Sequence, residues 1–497
     1  MLMGRKINPP VFFTAAALTI ILLLTGVLFT EEFEKGINYV NEGINSMFGW
    51  FIILSVSIFL GFVLFLMCSK YGNIRLSPDD SKPKYSFFAW VAMLFSAGMG
   101  IGLLFYGVAE PMLHYSSPPS SMVEAETVEA AKVAMDFSFL HWGLHAWATY
   151  IVVGLAVAYF GYRRGYPLSI RYIFYPIFGN RIYGAVGHVI EVLAVLGTLF
   201  GVATSLGLGA MQINRGLNFL FGVEFGNMTQ IILIIIISLL ATISVATGVS
   251  RGIKWLSVFN VSVGGFLLLF VIIFGPTIFI FKAFVENIGH FLHNFVDISL
   301  WNHSFEDTGW QGNWTIFYWS WWIAWSPYVG IFIARISKGR TIREFILGVL
   351  FIPTLLGFLW LTAFGSTGIL YDLQGEGELM GAVKEDITTA LFKFLEFFPF
   401  TLFISLLATI VIVTFFVTSS DSGSLVIDMI TSGGEPDPPV IQRIFWALLQ
   451  GAVAAILLLG GGLIALETAA ISMGLPFAVV LLLLCYSLYK QLKTEDV

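Results

Sequence analysis

The chain has 497 residues, of which 57% are hydrophobic and only 11% charged. A soluble domain carries about 25% charged residues, so a water-soluble globular protein is excluded, and a formal net charge of -6 offers a nucleic acid no basic footprint. Apolar runs of about 20 residues recur throughout, each long enough to cross a bilayer as a helix, and the short alternating strands of a membrane barrel are not seen.

The chain begins with Arg5 and Lys6 ahead of an apolar run at 11–29. That run is long for a signal peptide, and Thr30-Glu31-Glu32 is a poor cleavage site, so an uncleaved first span is predicted. Twelve spans are predicted in all, at 11–29, 48–68, 86–110, 136–161, 183–211, 228–247, 255–281, 313–334, 342–370, 399–430, 441–463 and 468–489. The fold class is therefore an all-α membrane protein. With this count most of the 25 Lys and Arg residues fall on one side, among them Lys70, Arg75, Arg163, Arg164, Arg335 and Arg343. Acidic residues gather on the other, including Glu31, Glu32, Glu34, Glu306, Asp307 and Glu376. The positive side is the inner one, which predicts a multi-pass inner-membrane protein with both termini cytoplasmic. Residues 283–305 place Phe284, Ile288, Phe291, Leu292 and Phe295 at helical spacing and predict an amphipathic helix along the outer surface. Cys68 and Cys485 both lie in apolar segments and predict neither a disulfide nor a metal site.

Four stretches could carry chemistry. In the third span, Ser96-Ala-Gly98-Met99-Gly100-Ile-Gly102 packs three glycines into five residues. Each costs a helix roughly 1 kcal/mol relative to Ala. The motif is consistent with GxxxG helix packing, and equally with an interrupted helix whose freed carbonyls take a cation and whose amides face an anion. In the eighth span, Trp314, Phe317, Trp321, Trp322 and Trp325 fall within an arc of about 140° at helical spacing. An interfacial aromatic belt does not explain tryptophans running through the middle of a span. In the fourth, Trp142, Trp147 and Tyr150 share one face of a continuous helix; near its outer end, this set alone reads as belt. Two aromatic faces together predict a box for a quaternary ammonium, bound by cation–π attraction. His141 and His145, at i and i+4, predict helix–helix hydrogen bonds, since neither has a carboxylate or thiol beside it in sequence. In the tenth span, Phe415-Phe-Val-Thr418-Ser419-Ser420-Asp421-Ser422 sets hydroxyls beside an intramembrane acid and predicts an ion path. No nucleotide-binding or hydrolase motif is present, so neither ATP-driven transport nor an enzyme is predicted.

These residues resemble the betaine–choline–carnitine transporter (BCCT) family. The string WTIFYWSWWIAWSPYVGIFIARIS followed by GRTIREF carries the likeness, as does GMGIGLLFYGVAEP, and it extends from the second span to the last. The resemblance implies a LeuT-type fold of 5+5 inverted repeats. Its units would be 1–85 with the first two spans, 86–282 as the first five-helix repeat, 283–312 as the outer helix and loop, 313–489 as the second repeat, and 490–497 as a short cytoplasmic tail. It also implies a homotrimer in membrane lipid, with the outer helix at the protomer contacts. Position by position, it implies a substrate box of Trp142, Trp147, Tyr150 and Trp322, with Trp321 and Trp325 on the path and Phe317 as gate. The stretch Gly98, Met99, Gly100 and Gly102 would meet the substrate carboxylate. One sodium ion would be held by carbonyls of Ser96, Met99 and Phe415 and hydroxyls of Thr418 and Ser419. Sodium-independent carnitine exchangers place an arginine in the seventh span where this chain has Asn260, so the sodium site stays open. A second sodium would use Thr198 and Tyr328; Val202 stands where a further threonine would be, which leaves the stoichiometry open. Gly102, where choline importers tend to carry Asp, points to a zwitterion.

The implied function is sodium-coupled import of glycine betaine or a related compatible solute with a quaternary ammonium or sulfonium group. Choline, ectoine, carnitine and dimethylsulfoniopropionate remain alternatives within the family, with proton coupling through Asp421 as the rival to sodium. A channel is the rival from another class. The short segment 490–497 predicts little osmotic activation.

Overall fold

In hydrocarbon no water can satisfy a free amide, so apolar runs close their hydrogen bonds inside helices. The computed structural model of the chain describes residues 7–98, 100–119, 121–246, 250–305, 308–375, 378–435 and 438–495, with side chains undescribed at Ala92, 95–98, 244–246 and 250–254. Arg5, Lys6, Met99, Glu306, Asp307 and Glu376 lie outside the described residues. Among those described, the regular structure is helical apart from one isolated bridge, Arg75 with Thr341. That bridge ties the loop after the second segment to the loop before the ninth, where Ile342 N donates to Ile74 O at 2.9 Å.

Every predicted span coincides with a helix or a pair of helices. Nine helices among the described residues are long and apolar enough to cross a bilayer. The third, sixth and eighth segments are not among the nine. The third is divided into Phe87–Gly98 and Ile101–Ser116. The sixth, Asn227–Ala246, is 20 residues long, and its described side chains reach Ile243. The eighth, Phe317–Ile336, is diluted by Trp, Tyr and Ser residues that serve its buried face.

Boundaries moved where local chemistry differed from the apolar pattern. The second helix starts at Thr30 and runs to Cys68, because Glu31 and Glu32 in its first turn favour the positive end of the helix dipole. The fourth segment is two helices, Val128–Trp142 and Leu144–Ala158, divided at Gly143. Its aromatic residues therefore do not share one continuous helical face, as the spacing predicted. The outer helix spans Thr277–Leu300 rather than 283–305. It buries Phe291 and Asn287, but Leu292, expected on its apolar inner stripe, is exposed, as are Ile278, Val285 and Val296.

The eighth segment is central. It packs against Leu144–Ala158, Ala185–Phe221 and Gly462–Leu492. One close approach is glycine on glycine. A Cβ at Gly154 would lie 3.1 Å from Gly330 O, and one at Gly330 would lie 3.1 Å from Gly154 N. Small residues bring membrane helices to this distance, where backbone atoms touch. Pro327 lies inside the helix.

Candidate substrate and ion site

At Gly100 the third segment is interrupted: the backbone is extended (φ -142°, ψ -174°) between a helix ending at Gly98 and one starting at Ile101. Gly98 closes the first helix and Met99 lies outside the described residues. Gly100 and Gly102 border a small cavity of about 30 Å³, walled by Trp142, Trp147, Tyr150, Trp321, Trp322 and Trp325. The two aromatic sets, far apart in sequence, are thus face to face. Trp142 meets Trp322 edge-on with centroids 5.1 Å apart, Trp321 and Trp322 stack at 4.7 Å, and Trp147 meets Tyr150 edge-on at 5.7 Å. Gly102 is required by this packing, since a Cβ there would lie 2.9 Å from Cη2 of both Trp142 and Trp321. Two polar atoms of the wall, the Tyr150 hydroxyl and Trp325 Nε1, have no hydrogen-bond partner.

A second small cavity, of about 50 Å³, is lined by Asn260, Tyr328, Phe415, Thr418, Ser419 and Ser422. Gly100 and Trp325 line both cavities. Asn260 is buried and bridges the seventh and tenth segments: its Nδ2 donates to Thr418 Oγ1 at 3.2 Å, and its Oδ1 accepts from Thr414 Oγ1 at 2.5 Å. Thr418 Oγ1 also lies 3.1 Å from Phe415 O. Ser96 belongs to the helix before the break, and its side chain is not described. Thr198 is fully buried on the fifth segment with no partner for its hydroxyl. Val202 contacts the tenth segment, 3.0 Å from where a Cβ on Gly423 would stand.

Phe317 does not line the aromatic cavity. It is buried and stacked on Trp321 at 5.4 Å. Tyr106 stands beside it, with ring contacts to Trp142, Trp314, Tyr318 and Trp321, and its hydroxyl donates to Glu467 at 3.2 Å. Glu467 lies at the edge of a larger, polar cavity of about 650 Å³ that Asn45, Asn302 and Asn313 also line.

Behind the aromatic wall is a group the sequence reading passed over. Glu110 is fully buried, and its carboxylate accepts from His141 Nδ1 (2.7 Å), His114 Nε2 (3.1 Å), Trp142 Nε1 (2.6 Å) and the Tyr318 hydroxyl (2.5 Å). The carboxylate partner that His141 lacked in sequence thus comes from the third segment. The ligand atoms of Glu110, His114 and His141 converge within 4.8 Å, a spacing that could hold a metal ion. They already satisfy one another as donors and acceptor, which a hydrogen-bond network explains without one. The signal that could have found Glu110 was its charge inside an apolar run, since an acid in a span is a functional candidate by default. Asp421, singled out for that reason, is buried on the tenth segment.

Helices of this length and apolarity, with two small cavities among them, define a multi-pass α-helical membrane protein. The sequence profile of the BCCT, betaine/carnitine/choline family transporter, matches residues 10–497. The chain is 46% identical to the glycine betaine transporter of Bacillus subtilis, over 98% of this chain and 94% of that one. It is 46% identical to the glycine betaine transporter of Acinetobacter baylyi, over 99% and 74% of the two chains. It is 44% identical to a glycine betaine/proline/choline/ectoine transporter of Vibrio parahaemolyticus, over 99% and 88%. The chain belongs to the betaine/carnitine/choline transporter family, and it is a transporter, not an enzyme.

Proposed function

We propose that the chain is a sodium symporter that imports glycine betaine, or a related methylated-onium zwitterion, by alternating access. The observation that carries this is the pair of adjoining cavities, one walled by aromatic rings and one lined by the hydroxyl residues Tyr328, Thr418, Ser419 and Ser422 and by Asn260, with Gly100 and Trp325 common to both. A quaternary ammonium has no N–H to donate, so its strongest available contact is the face of an aromatic ring, Trp above all. The free amides at the start of Ile101–Ser116 suit the substrate's carboxylate, as do the unpartnered Tyr150 hydroxyl and Trp325 Nε1. The neutral oxygens of Thr418, Ser419 and Phe415 suit a monovalent cation better than Mg²⁺ or Ca²⁺, whose sites usually include carboxylates. The unpartnered Thr198 hydroxyl is in keeping with a second sodium, for which Val202 leaves one expected oxygen ligand missing. The names of the relatives point to the same class of substrate.

The architecture we propose has twelve spans in a LeuT-type arrangement: two leading helices, then inverted five-helix repeats at 86–282 and 313–489. Both termini are cytoplasmic, and a homotrimer forms through the exposed apolar face of Thr277–Leu300. A second reading, proton-coupled choline uptake, draws support from Asp421, buried three residues from Thr418. The deciding experiment is radiolabelled uptake into proteoliposomes of glycine betaine, choline, proline betaine, carnitine, ectoine and dimethylsulfoniopropionate, with an imposed sodium or pH gradient. Saturable, sodium-driven glycine betaine uptake is expected. Full accumulation driven by protons in sodium-free buffer overturns the sodium assignment, and non-saturable flux indicates a channel.

A further inference from the structure

The aromatic cavity that would hold an onium group has no acidic residue among its described lining residues. One carboxylate is nevertheless wired to its wall. Glu110 Oε2 accepts from the indole N–H of Trp142, whose ring lines the cavity, and Oε1 accepts from His141 Nδ1. The backbone carbonyl of His141 in turn accepts from the indole N–H of Trp322, the ring facing Trp142, at 2.8 Å. Both tryptophans are thus fixed, directly or through one residue, by the same acid.

The partners of Glu110 are all placed to donate to it. An indole nitrogen only donates, so Trp142 takes a lone pair of Oε2, and the Tyr318 hydroxyl takes another. The two histidines occupy Oε1. His141 gives its Nδ1 proton to Glu110 and turns Nε2 to the Thr315 hydroxyl at 3.0 Å, while His114 Nδ1 has no partner. One proton on each ring is enough to satisfy these contacts, and with that count the cluster is two neutral imidazoles around an anion. An indole that donates to an anion becomes more electron-rich, and charge–charge attraction in this water-poor interior is screened far less than in bulk water.

We propose that Glu110 is a positioning and counter-charge residue for the onium group, acting through Trp142 without touching the substrate, so that the site prefers a cation over an uncharged group of the same shape. This deepens the function proposed above and rests on it.

The test compares glycine betaine with 3,3-dimethylbutanoate, which replaces the ammonium nitrogen by carbon. Choline and 3,3-dimethylbutanol serve as a second pair, so that a different onium substrate changes the proposed function but leaves this test intact. Binding is read by tryptophan fluorescence and competition on the purified full-length protein. The wild-type protein should prefer each onium over its carbon twin, and Glu110→Gln should lower that preference by roughly tenfold or more. A purely structural role would weaken both members of a pair alike, so an unchanged preference ratio in Glu110→Gln overturns the proposal. Should that variant fail to fold, Glu110→Asp decides. It retains the charge, so the preference should stay within about threefold of wild type even where absolute affinities fall; a collapse of the ratio overturns the proposal. Absence of any onium binding by the wild-type protein would instead refute the proposed function itself.

Discussion

At the scale of single residues, the aromatic cavity sets the energetics. Losing one desolvated cation–π contact removes about 1–2 kcal/mol, and 1.4 kcal/mol is tenfold in affinity. Trp322→Leu should therefore raise the KM for glycine betaine uptake about tenfold, measured in proteoliposomes at saturating sodium. An unchanged KM in this variant and in Trp142→Leu and Trp147→Leu would rule the box out. Gly102 gives a second test. A Cβ there would lie 2.9 Å from two indole rings, closer than carbon atoms pack, and overpacking of this kind costs about 1–3 kcal/mol. Gly102→Ala should reach the membrane in normal amounts yet bind substrate about tenfold more weakly, since the displaced rings are the proposed binding surface. Wild-type affinity would show that Trp142 and Trp321 move aside freely.

At the scale of elements, the breaks in helices matter as much as the helices. The interruption at Gly100 and the division at Gly143 both occur beside residues that wall the aromatic cavity. On the predicted cytoplasmic side, one clasp joins three elements. Arg163, at the end of the fourth segment, donates to Glu495 through Nε (3.1 Å) and Nη2 (2.8 Å), and through Nη1 to Asp79 (2.7 Å). The Tyr159 hydroxyl adds a bond to Glu495 at 2.5 Å. The hydrogen bond from Arg163, reinforced by that from Tyr159, holds the Glu495 carboxyl below the ordinary glutamate range against the opposing effect of burial. A depressed acid contributes stability that is complete above its unfolded value, about 4.3, and is lost as pH falls through its folded value. Glu495→Gln should therefore lower the apparent melting temperature at pH 7 by about 1–2 °C, as for a partly exposed ion pair. The gap from wild type should close below about pH 4. A gap that persists in acid would mean that the glutamine acts by shape and not by charge.

At the scale of the whole molecule, coupling requires ion and substrate to favour the same conformations. The hydroxyls of the tenth segment and the glycine break of the third come from distant parts of the chain and meet at one cavity. A cation bound between them would tie those parts together, and Asn260 already links the seventh segment to Thr418. Thr418→Ala combined with Ser419→Ala should shift half-maximal sodium activation upward by at least about tenfold, since two ligands are lost at roughly 1 kcal/mol each. The purified variant should elute as wild type does on size exclusion. Unaltered sodium activation would move the ion elsewhere, and loss of uptake in Asp421→Asn with a proton requirement would put it on the acid.

The sequence by itself determined what hydrophobic length and composition determine: an all-helical membrane chain, where its helices lie, and the residue types a methylated cation needs. Those features are local, because a run of Val, Ile, Leu and Phe must pair its own amides wherever it sits in the bilayer. The aromatic residues at 142–150 and 321–325 were legible as two faces by spacing alone, though a continuous helix through Gly143 was the wrong reason for grouping the first. Only the tertiary structure decided that the two faces meet, that Phe317 stacks on Trp321, and that Gly100 and Trp325 belong to two cavities at once. It also supplied Glu110 as the partner of His141 and Trp142, residues 31 and 32 positions away. Such pairings depend on how helices cross, and crossing is set by close approaches such as Gly154 on Gly330, which no periodicity within a single helix encodes.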